Sequence, residues 1–425
     1  MNEIIVIIYL FFIFSLFCLA PLNIFKNNIL NFSYSRKNSF YFNLIINLNI
    51  LLLLSLLPIQ LTDYSFIIII ILILICIKNY LFLMKVFKDI NLNIPNILFL
   101  IAVFFILSIE VASELNLGWD AKWFWYIKSL YYTQNQTFNE LSNYVYNDFH
   151  PHLGSFIWAF YRDLSINGYE YNGRLFYVFF YIISLFFISK NIFRNKTKNN
   201  ILFIFLIILT QKYIYFSGLQ EILIFTILVF MSKFFYFYVK EKNFIDFIFI
   251  FLCMNLLIWI KAEGIAYAFI CLLTINFISR LNLKKKLIIN LLFLSIIFFK
   301  ILIYKLFQIK INDQPYYFEY IINLDIQTLL YKIKNILIYL SYYSFKNIIL
   351  ISVPIISIIN YKKIYENEYF RLMIIFFLVN IMFIFSIYIF RDMDVIYSLK
   401  TTIDRIIFSS SGFYLLFVIN QFKKN

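Results

Sequence analysis

The sequence is poor in the residues that build tight turns, disulfides and nucleotide-binding loops. Its 425 residues include seven glycines, six prolines, four cysteines and two histidines. No GxGxxG, Walker A or HExxH pattern occurs in it. The cysteines all fall inside apolar segments and form no CxxC pair, which argues against a disulfide framework and a cysteine metal site. The sequence therefore contains no signature of nucleotide, hydride or protease chemistry.

Charge is also scarce. Only 14% of the residues are charged and 63% are hydrophobic, whereas a soluble domain is about 25% charged and about 45–50% apolar. The apolar residues form blocks of about 20, the length that crosses a hydrocarbon core about 30 Å thick. Since lipid leaves the backbone to satisfy its own hydrogen bonds, these blocks are predicted to be helices. The N-terminal block carries Glu3 and lacks a basic region, so it is interpreted as a membrane helix.

The sequence thus predicts an all-α polytopic membrane protein with about 12–13 transmembrane helices. We expect one membrane domain overall, with transmembrane helices in 1–113, a large loop in 114–172 and a helical core in 173–425. The predicted spans are 4–25, 41–61, 65–84, 95–113, 173–193, 200–216, 222–239, 244–260, 265–279, 287–306, 335–359, 370–390 and 406–421.

The net charge of +15 is explained by the loops between these spans rather than by nucleic-acid binding. Lysine and arginine concentrate in alternate loops, as at Lys284–Lys286 and at Lys362 and Lys363. The positive-inside rule places those loops in the cytoplasm of a plasma-membrane protein. The other loops are poorer in basic residues for their length and are predicted to face outward: 62–64, 114–172, 217–221, 261–264, 307–334 and 391–405.

The largest outward loop is rich in aromatic residues. Positions 119, 123, 126 and 130 would share one face of an α-helix, so 119–132 is predicted to be an interfacial helix that presents Trp119 and Trp123. Pro151 is suited to the first turn of a second interfacial helix at 151–162, which carries Trp158, Phe160 and Tyr161. An ordinary aromatic belt at the membrane surface is the alternative explanation for these side chains.

Polar residues gather where outward loops meet the apolar spans. Asp120 lies at the start of the first interfacial helix, where a carboxylate can cap the helix, be favoured in its first turn by the helix dipole, or act as a general base. Glu221 begins a span, and Lys261 and Glu263 lie between two spans in a Lys-Ala-Glu-Gly segment. Charged groups at membrane edges often reach water by snorkelling, and Lys261 could simply pair with Glu263. Carboxylates between closely coupled spans are also candidates for binding or catalysis.

The last outward loop contributes Arg391 and Arg405, each either a snorkelling anchor or a phosphate ligand, for which the guanidinium fork is suited. Asp392-Met393-Asp394 resembles a metal-binding DxD pattern, but that pattern is short and weak. His150 and His152 stand two residues apart and do not share a helix face, so they are a poor metal pair. No metal ligands are assigned, no cofactor is required by the sequence, and a divalent metal is left open.

Four segments, in order, resemble the polyprenyl-phosphate-sugar-dependent membrane glycosyltransferases of the GT-C superfamily. This group includes protein O-mannosyltransferases and lipid A aminoarabinose transferases. The resemblance spans about 115–410, and departs from the family by three additional predicted helices before the large loop and by lacking the soluble C-terminal domain of some members. The segments are Gly118-Trp119-Asp120-Ala121 with His150-Pro151-His152-Leu153, then Gly218-Leu219-Gln220-Glu221, Lys261-Ala262-Glu263-Gly264, and Thr401 to Arg405.

The resemblance implies inverting transfer of a sugar from a polyprenyl-phosphate donor to a glycan, lipid or protein acceptor at the outer leaflet. Asp120 would be the general base, because it could remove a proton from the acceptor hydroxyl. The leaving phosphate would need cations, for which Lys122, Lys261, Arg391 and Arg405 are candidates. Glu221 and Glu263 would hold donor hydroxyls or orient Lys261. Trp119, Trp123, His150 and His152 would help to line the substrate site.

Three other functions fit parts of the sequence. A Wzy-type polymerase or O-antigen ligase also has about a dozen helices, but it places key residues in large late loops. A transporter or flippase for a lipid-linked sugar would need helices broken in mid-membrane. The sequence offers few such breaks, since Pro354 stands nearly alone and Lys300 is explained by snorkelling from a helix end. A purely structural membrane protein is the remaining alternative.

Overall fold

Apolar segments of this length fold as helices, and the described part of the chain is helical throughout. The computed structural model describes residues 3–20, 32–90, 94–113, 116–144, 148–190, 192–193, 195–241, 244–278, 281–310, 324–391 and 393–421. Within these ranges the structure contains helices and their connecting turns and no β-strand. Asp392 of the DxD pattern lies outside the described residues.

The first eleven helices occupy the N-terminal half of the chain, with three short irregular helices among them. A π-helix covers Ala121–Tyr126, and 3₁₀-helices cover Phe138–Glu140 and Tyr213–Phe216. The α-helices are α1 (Glu3–Leu19), α2 (Phe32–Ser55), α3 (Leu61–Lys78), α4 (Tyr80–Ile90), α5 (Ile94–Ser113), α6 (Ile127–Thr133), α7 (Leu141–Tyr144), α8 (Leu153–Asp163), α9 (Glu170–Ser189), α10 (Lys196–Thr210) and α11 (Glu221–Glu241).

The second half of the chain continues with eight α-helices. Several begin at an asparagine or aspartate whose side chain accepts a hydrogen bond from the first turn, as Asn282, Asp325 and Asp394 do. The helices are α12 (Phe244–Ile260), α13 (Ala262–Asn276), α14 (Leu283–Leu306), α15 (Ile326–Lys346), α16 (Ile348–Ile359), α17 (Lys363–Glu366), α18 (Glu368–Ile389) and α19 (Val395–Asn420).

Eight helices of the described ranges are long and apolar enough to cross a membrane, namely α2, α3, α5, α9, α11, α14, α18 and α19. This number of candidate spans indicates a multi-pass membrane protein. The pair α15 and α16 is apolar enough together but is bent by 94°. Helices α1, α12 and α13 are apolar but shorter, at 17, 17 and 15 residues.

The chain divides into two compact units. Unit 1 comprises Met1–Leu223 and Trp259–Lys261. Its central helix is α9, which is fully buried and contacts α1, α5, α8 and α10. A helix that is apolar on every side is stable only when other helices surround it. Ring packing of Tyr161 on Phe176, with centroids 4.4 Å apart, joins α8 to α9.

Unit 2 comprises Ile224–Ile258 and Ala262–Asn425. Its helix α19 packs against α15, α16 and α18. Phe376 and Phe413 stack at 3.8 Å across α18 and α19, in a geometry worth about 0.5–1.5 kcal/mol beyond the burial of area. Gly412 lets α19 approach α11 closely, because a Cβ there would lie 2.4 Å from the Phe225 backbone oxygen.

Two predicted boundaries and one predicted side-chain position in the second half of the chain are wrong. The span predicted at 335–359 is two helices that meet at Asn347, whose side chain caps α16. The loop predicted at 391–405 ends early, because Asp394 caps α19 and places Arg405 inside that helix. Lys300 does not snorkel: it is buried in α14, and its amine donates to the Ile258 backbone oxygen at 2.7 Å.

The predictions for the first half also need correction. The loop predicted at 62–64 is the first turn of α3, and the span predicted at 65–84 is interrupted at Asn79. The second interfacial helix exists as α8 but begins at Leu153, two residues after Pro151. Its residues 153–161 are all buried, so it lies in the interior of unit 1 rather than along a surface. The aromatic-belt explanation is therefore wrong for Trp158, Phe160 and Tyr161.

Candidate functional site

The turn that precedes α11 is fixed in unit 1 by close backbone packing. Gly218 has φ +91°, and a Cβ there would lie 2.6 Å from the Trp158 ring and 2.9 Å from the Cβ of Ala121. A side chain at this position would therefore be strained and would collide with its neighbours. The backbone nitrogen of Gly118 donates to the Ser217 oxygen at 3.0 Å. These contacts bring the segment around Asp120 next to the segment that ends at Glu221.

A buried ion pair supports the same turn from α9. Arg174 has no solvent-exposed surface, and its guanidinium donates to both carboxylate oxygens of Glu170, at 2.7 and 2.8 Å. Its third bond goes to the Phe216 backbone oxygen at 3.0 Å. Bidentate pairing of this kind is strong and directional. Arg174 thus anchors the 3₁₀-helix that leads into the Gly218 turn.

Glu221 and Lys261 form an ion pair within unit 1. The Lys261 amine donates to a Glu221 carboxylate oxygen at 2.8 Å, and the two side chains are 11% and 3% exposed. The alternative that Lys261 simply pairs with Glu263 is therefore incomplete, because its amine is bonded to a residue 40 positions earlier in the chain. A buried carboxylate of this kind requires a compensating charge. Of the two roles considered for Glu221, orienting Lys261 fits this contact.

A second buried lysine holds the turn that carries His150. Lys128 has no exposed surface, and its amine donates to the backbone oxygens of Asp148, at 3.3 Å, and of His150. The His150 ring is half-buried against Phe124 at 4.9 Å and Phe149 at 4.2 Å. Burial, and then the charges of Lys128 and Lys261, lower the pKa of His150 to about 3. This imidazole is therefore neutral at physiological pH.

Asp120 opens a π-helix rather than an α-helix. It has helical backbone angles and makes no side-chain cap hydrogen bond, so the N-cap explanation is wrong, whereas its position agrees with a carboxylate in the first helical turn. The wider turn also changes which side chains meet, because Trp119 contacts Phe124 at 5.6 Å, five residues on. The predicted α-helix is thus a π-helix in part, and the predicted shared face of positions 119, 123, 126 and 130 stays a prediction. A π-helix is rare and often marks a functional position.

Three residues of this segment reach the surface of unit 1. Trp119 and Trp123 are 68% and 50% exposed, and Asp120 is partly exposed. Lys122 is exposed and its amine lies 5.7 Å from the centre of the Trp123 ring. These positions leave the aromatic rings and the carboxylate accessible to a ligand.

His152 lies instead in the packed interior. It is fully buried, and its Nε2 is 2.7 Å from the Ser55 hydroxyl of α2. Phe138 and Trp259 flank the ring at 4.5 and 5.5 Å. The position of His152 supports a role in packing rather than direct contact with a ligand.

The later candidate residues gather in unit 2 around Tyr388. Its hydroxyl is 2.8 Å from the hydroxyl of Thr402 on α19. Arg391, Glu263 and Arg405 all lie close enough to act electrostatically on this phenol. The structure thus places three residues from separate sequence segments within electrostatic range of Tyr388. Of the charged groups that act on Tyr388, two are cationic and one is anionic.

Lys332 fixes the position of Arg391. The Lys332 side chain is buried on α15, and its amine donates to the backbone oxygens of Ile389, at 3.1 Å, and Arg391, at 2.7 Å. These carbonyls close the C-terminal end of α18, where a cation is favoured by the helix dipole. Lys332 also adds a third positive charge to this region of unit 2.

The candidate residues therefore fall into two clusters. The unit 1 cluster holds Trp119, Asp120, Lys122, Trp123, His150, Glu221 and Lys261. The unit 2 cluster holds Glu263, Arg391 and Arg405. The sequence interpretation did not assign supporting roles to Lys128, Arg174, Lys332 or Tyr388. A lysine or arginine within an apolar block is the signal that could have identified the first three, since such a residue rarely lacks a partner.

Among the described residues, no group of three His, Cys, Asp or Glu side chains is arranged to hold a metal ion. In comparisons with known proteins, no family model, no curated protein and no solved structure matches the chain.

Proposed function

We propose that the chain is a GT-C-type membrane glycosyltransferase. It transfers a sugar from a polyprenyl-phosphate donor to a glycan, lipid or protein acceptor at the outer leaflet of the plasma membrane, with inversion. Twelve spans support this architecture when the bent pair and the three shorter apolar helices are added to the eight long ones. The second helix of the large loop is then an internal support rather than an interfacial element.

The observation that carries the proposal is the grouping of four sequence segments into two clusters. In unit 1, the segment at Gly118 bonds to Ser217, and Lys261 bonds to Glu221. In unit 2, Glu263 and Arg405 act on the same phenol, Tyr388. Residues placed together by packing, although far apart in sequence, are more readily explained by a shared site than by separate anchoring at a membrane edge.

Each residue then has a chemical role. Asp120 accepts the proton of the acceptor hydroxyl. The hydroxyl oxygen then forms a bond to the anomeric carbon as the bond from that carbon to the lipid phosphate breaks. Within unit 2, Arg391 and Arg405 are the candidate ligands for the phosphate of the lipid donor. Glu221 holds Lys261 in place, and Trp119 offers a ring face to a sugar.

The test is transfer of labelled sugar from a polyprenyl-phosphate donor in membranes that carry the wild-type or the Asp120→Asn chain. We expect Asp120→Asn to lose most transfer at equal expression, because the amide cannot accept the proton. Asp63→Asn is the matched control, since Asp63 is an exposed carboxylate in the first turn of α3. Unimpaired transfer by Asp120→Asn contradicts the assigned base. The glycan missing from the envelope of a deletion strain, measured by mass spectrometry, identifies the acceptor.

One observation favours a second candidate, a transporter or flippase for a lipid-linked sugar. Transporters use broken helices near the membrane centre, and α15 and α16 meet at a 94° bend with Pro354 inside α16. Proteoliposomes that contain a labelled lipid-linked sugar distinguish the two candidates. A transferase releases polyprenyl phosphate and labels an acceptor, whereas a flippase moves the lipid across the bilayer unchanged.

A further inference from the structure

The surface near His150 is built from aromatic rings that meet because of the π-helix. Trp119 contacts Phe124, and Phe124 in turn contacts His150 at 4.9 Å. Trp125 is 1% exposed and supports the imidazole from the interior at 5.4 Å. Trp119, Phe124 and His150 are called the aromatic platform below. Trp119 is largely exposed and the other two are partly exposed, so the platform has an accessible face.

The two lysines that act on His150 are already engaged by protein groups. Lys261 bonds to the Glu221 carboxylate, and Lys128 donates to two backbone oxygens from a position without solvent exposure. A phosphate or carboxylate at His150 would have to compete with these partners. Such an anion would also be repelled by the Asp120 carboxylate, which belongs to the same segment as Trp119 and Phe124. An uncharged ligand avoids both costs.

The imidazole itself suits such a ligand. In its neutral form one ring nitrogen donates a hydrogen bond and the other accepts one, as a sugar hydroxyl requires. The neighbouring rings offer apolar faces to the carbon skeleton of a pyranose. Small-molecule sites commonly combine apolar walls with a few polar groups that fix orientation.

We propose that the aromatic platform binds an uncharged pyranose ring of the substrate through Trp119, Phe124 and the neutral His150 imidazole. Lys128 is the positioning residue for that imidazole, because its amine fixes the backbone turn at 148–150. This assignment rests on the proposed function, since it names the chemical class bound at the same site.

The first experiment measures binding without transfer, using the purified full-length protein in detergent. The probes are methyl glycosides of glucose, mannose and N-acetylglucosamine, with glucuronate and inorganic phosphate as anions. Tryptophan emission reports binding, and Trp119→Phe identifies the contribution of the platform. We expect at least one neutral glycoside to change the Trp119 emission and neither anion to do so. Absence of any glycoside response, or a stronger response to an anion, overturns the proposal.

Substitutions then assign the polar contact. His150→Ala should weaken glycoside binding by about tenfold, the size expected for loss of one or two hydrogen bonds. His150→Gln should retain most affinity, because the amide is also a neutral donor and acceptor. Equal affinity in wild type and His150→Ala overturns the role of the imidazole.

The Lys128 variants test positioning. Lys128→Met should lose glycoside affinity, and Lys128→Arg should restore part of it, since arginine can also donate to two carbonyl oxygens. Lys300→Met is the matched control, because Lys300 is a buried lysine on a backbone oxygen elsewhere in the chain. Loss of affinity in Lys300→Met equal to that in Lys128→Met would contradict a specific role. If Lys128→Met does not fold, the Lys128→Arg and His150 variants still decide the question.

A membrane-surface role for Trp119 is distinguished by phosphatidylglycerol vesicles. If vesicles shift the Trp119 emission and glycosides do not, Trp119 is a belt residue and the platform proposal fails. If glycosides bind but no sugar is transferred in membranes, the platform stands and the transferase assignment fails.

Discussion

The ion pair of Glu170 and Arg174 gives the sharpest test of how the site is held. Its guanidinium makes three bonds of 2.7–3.0 Å, two to Glu170 and one to the Phe216 backbone oxygen. The Arg174 side chain has 0% exposure and the Glu170 side chain has 17%. The charge left by removing one partner is therefore fully buried in one variant and partly exposed in the other. The two substitutions should differ in how much unfolding free energy they cost.

Glu170→Gln should be the more damaging, because it removes the Glu170 counter-charge from a fully buried guanidinium. Loss of one partner of a buried pair costs about 3–5 kcal/mol of unfolding free energy. Arg174→Gln leaves a carboxylate that reaches some solvent and a carbonyl that loses one donor, so about 2–3 kcal/mol is expected. The double variant should be less destabilised than the sum, by a coupling energy of about 1–3 kcal/mol.

The assay is reversible unfolding of the purified chain in mixed micelles with increasing dodecyl sulfate, for wild type, both single variants and the double variant. If the double variant loses as much unfolding free energy as the two single variants together, the bidentate pair is refuted. A larger loss in Arg174→Gln than in Glu170→Gln would refute the reasoning from burial.

Three further outcomes follow from the same structure. Gly173→Ala should destabilise by about 1–3 kcal/mol in that unfolding assay, because its Cβ would lie 2.2 Å from a backbone oxygen of α8. Gly168→Ala, in open space at φ +63°, should cost about 1–2 kcal/mol of strain; a larger cost at Gly168 than at Gly173 would contradict the close packing of α8 on α9. Lys261→Met should lower both thermal stability and sugar transfer, since it removes the amine that is bonded to the buried Glu221 carboxylate. Lys261→Arg should recover part of both, and a melting temperature of Lys261→Met equal to that of wild type would contradict the pairing. The pKa of His150 is lowered to about 3 in the folded chain, so below about pH 6.5 the unfolded chain binds one more proton than the folded chain. The free energy of unfolding should therefore fall by about 1 kcal/mol per pH unit down to pH 5. His150→Gln should remove this pH dependence, and an unchanged dependence would contradict a neutral imidazole.

The helices were predictable wherever length and apolarity decide the outcome. The predicted spans at 95–113 and 244–260 agree with α5 and α12 within one residue. Glu221 was expected near the start of a span and is the first residue of α11. Lipid leaves an apolar block of about 20 residues no alternative to the helix, so such a block needs no tertiary information.

The bend at Asn347 could not be read in the same way. The residues before it include Ser341, Ser344 and Lys346, but polar residues also occur inside other helices of this chain, so polarity alone does not mark a boundary there. The signal is local: an asparagine whose side chain accepts a hydrogen bond from Leu350 starts a new helix. Asparagine is too frequent in this chain for that signal to be distinctive.

The sequence interpretation of α8 failed for a different reason. A helix that lies on a membrane and a helix packed among others share the same 3.6-residue period. What separates them in this structure is the set of neighbours, such as Phe14 against Tyr161 at 4.7 Å. These contacts join residues far apart in the chain. Periodicity therefore predicted that a helix exists and could not predict where it lies.

The π-helix shows the limit for site residues. Its wider turn is not encoded by a pattern in Ala121–Tyr126 and accompanies the contacts of Gly118 with Ser217 and of Ala121 with Gly218. Within this segment Trp119 contacts Phe124, five residues on. The sequence identified Asp120 as a candidate carboxylate, but it could not predict which side chains surround it.

The charged groups of the two clusters differ and favour different chemistry. In unit 1, Lys261 is engaged by Glu221 and Lys128 by carbonyl oxygens, so the surface at His150 favours uncharged groups. In unit 2, Arg391 and Arg405 offer guanidinium groups, which are suited to phosphate. Arg405→Gln should therefore weaken binding of polyprenyl phosphate and leave glycoside binding at the aromatic platform intact. A variant that lost both, while still folded, would show that this division of charge does not determine what each cluster binds.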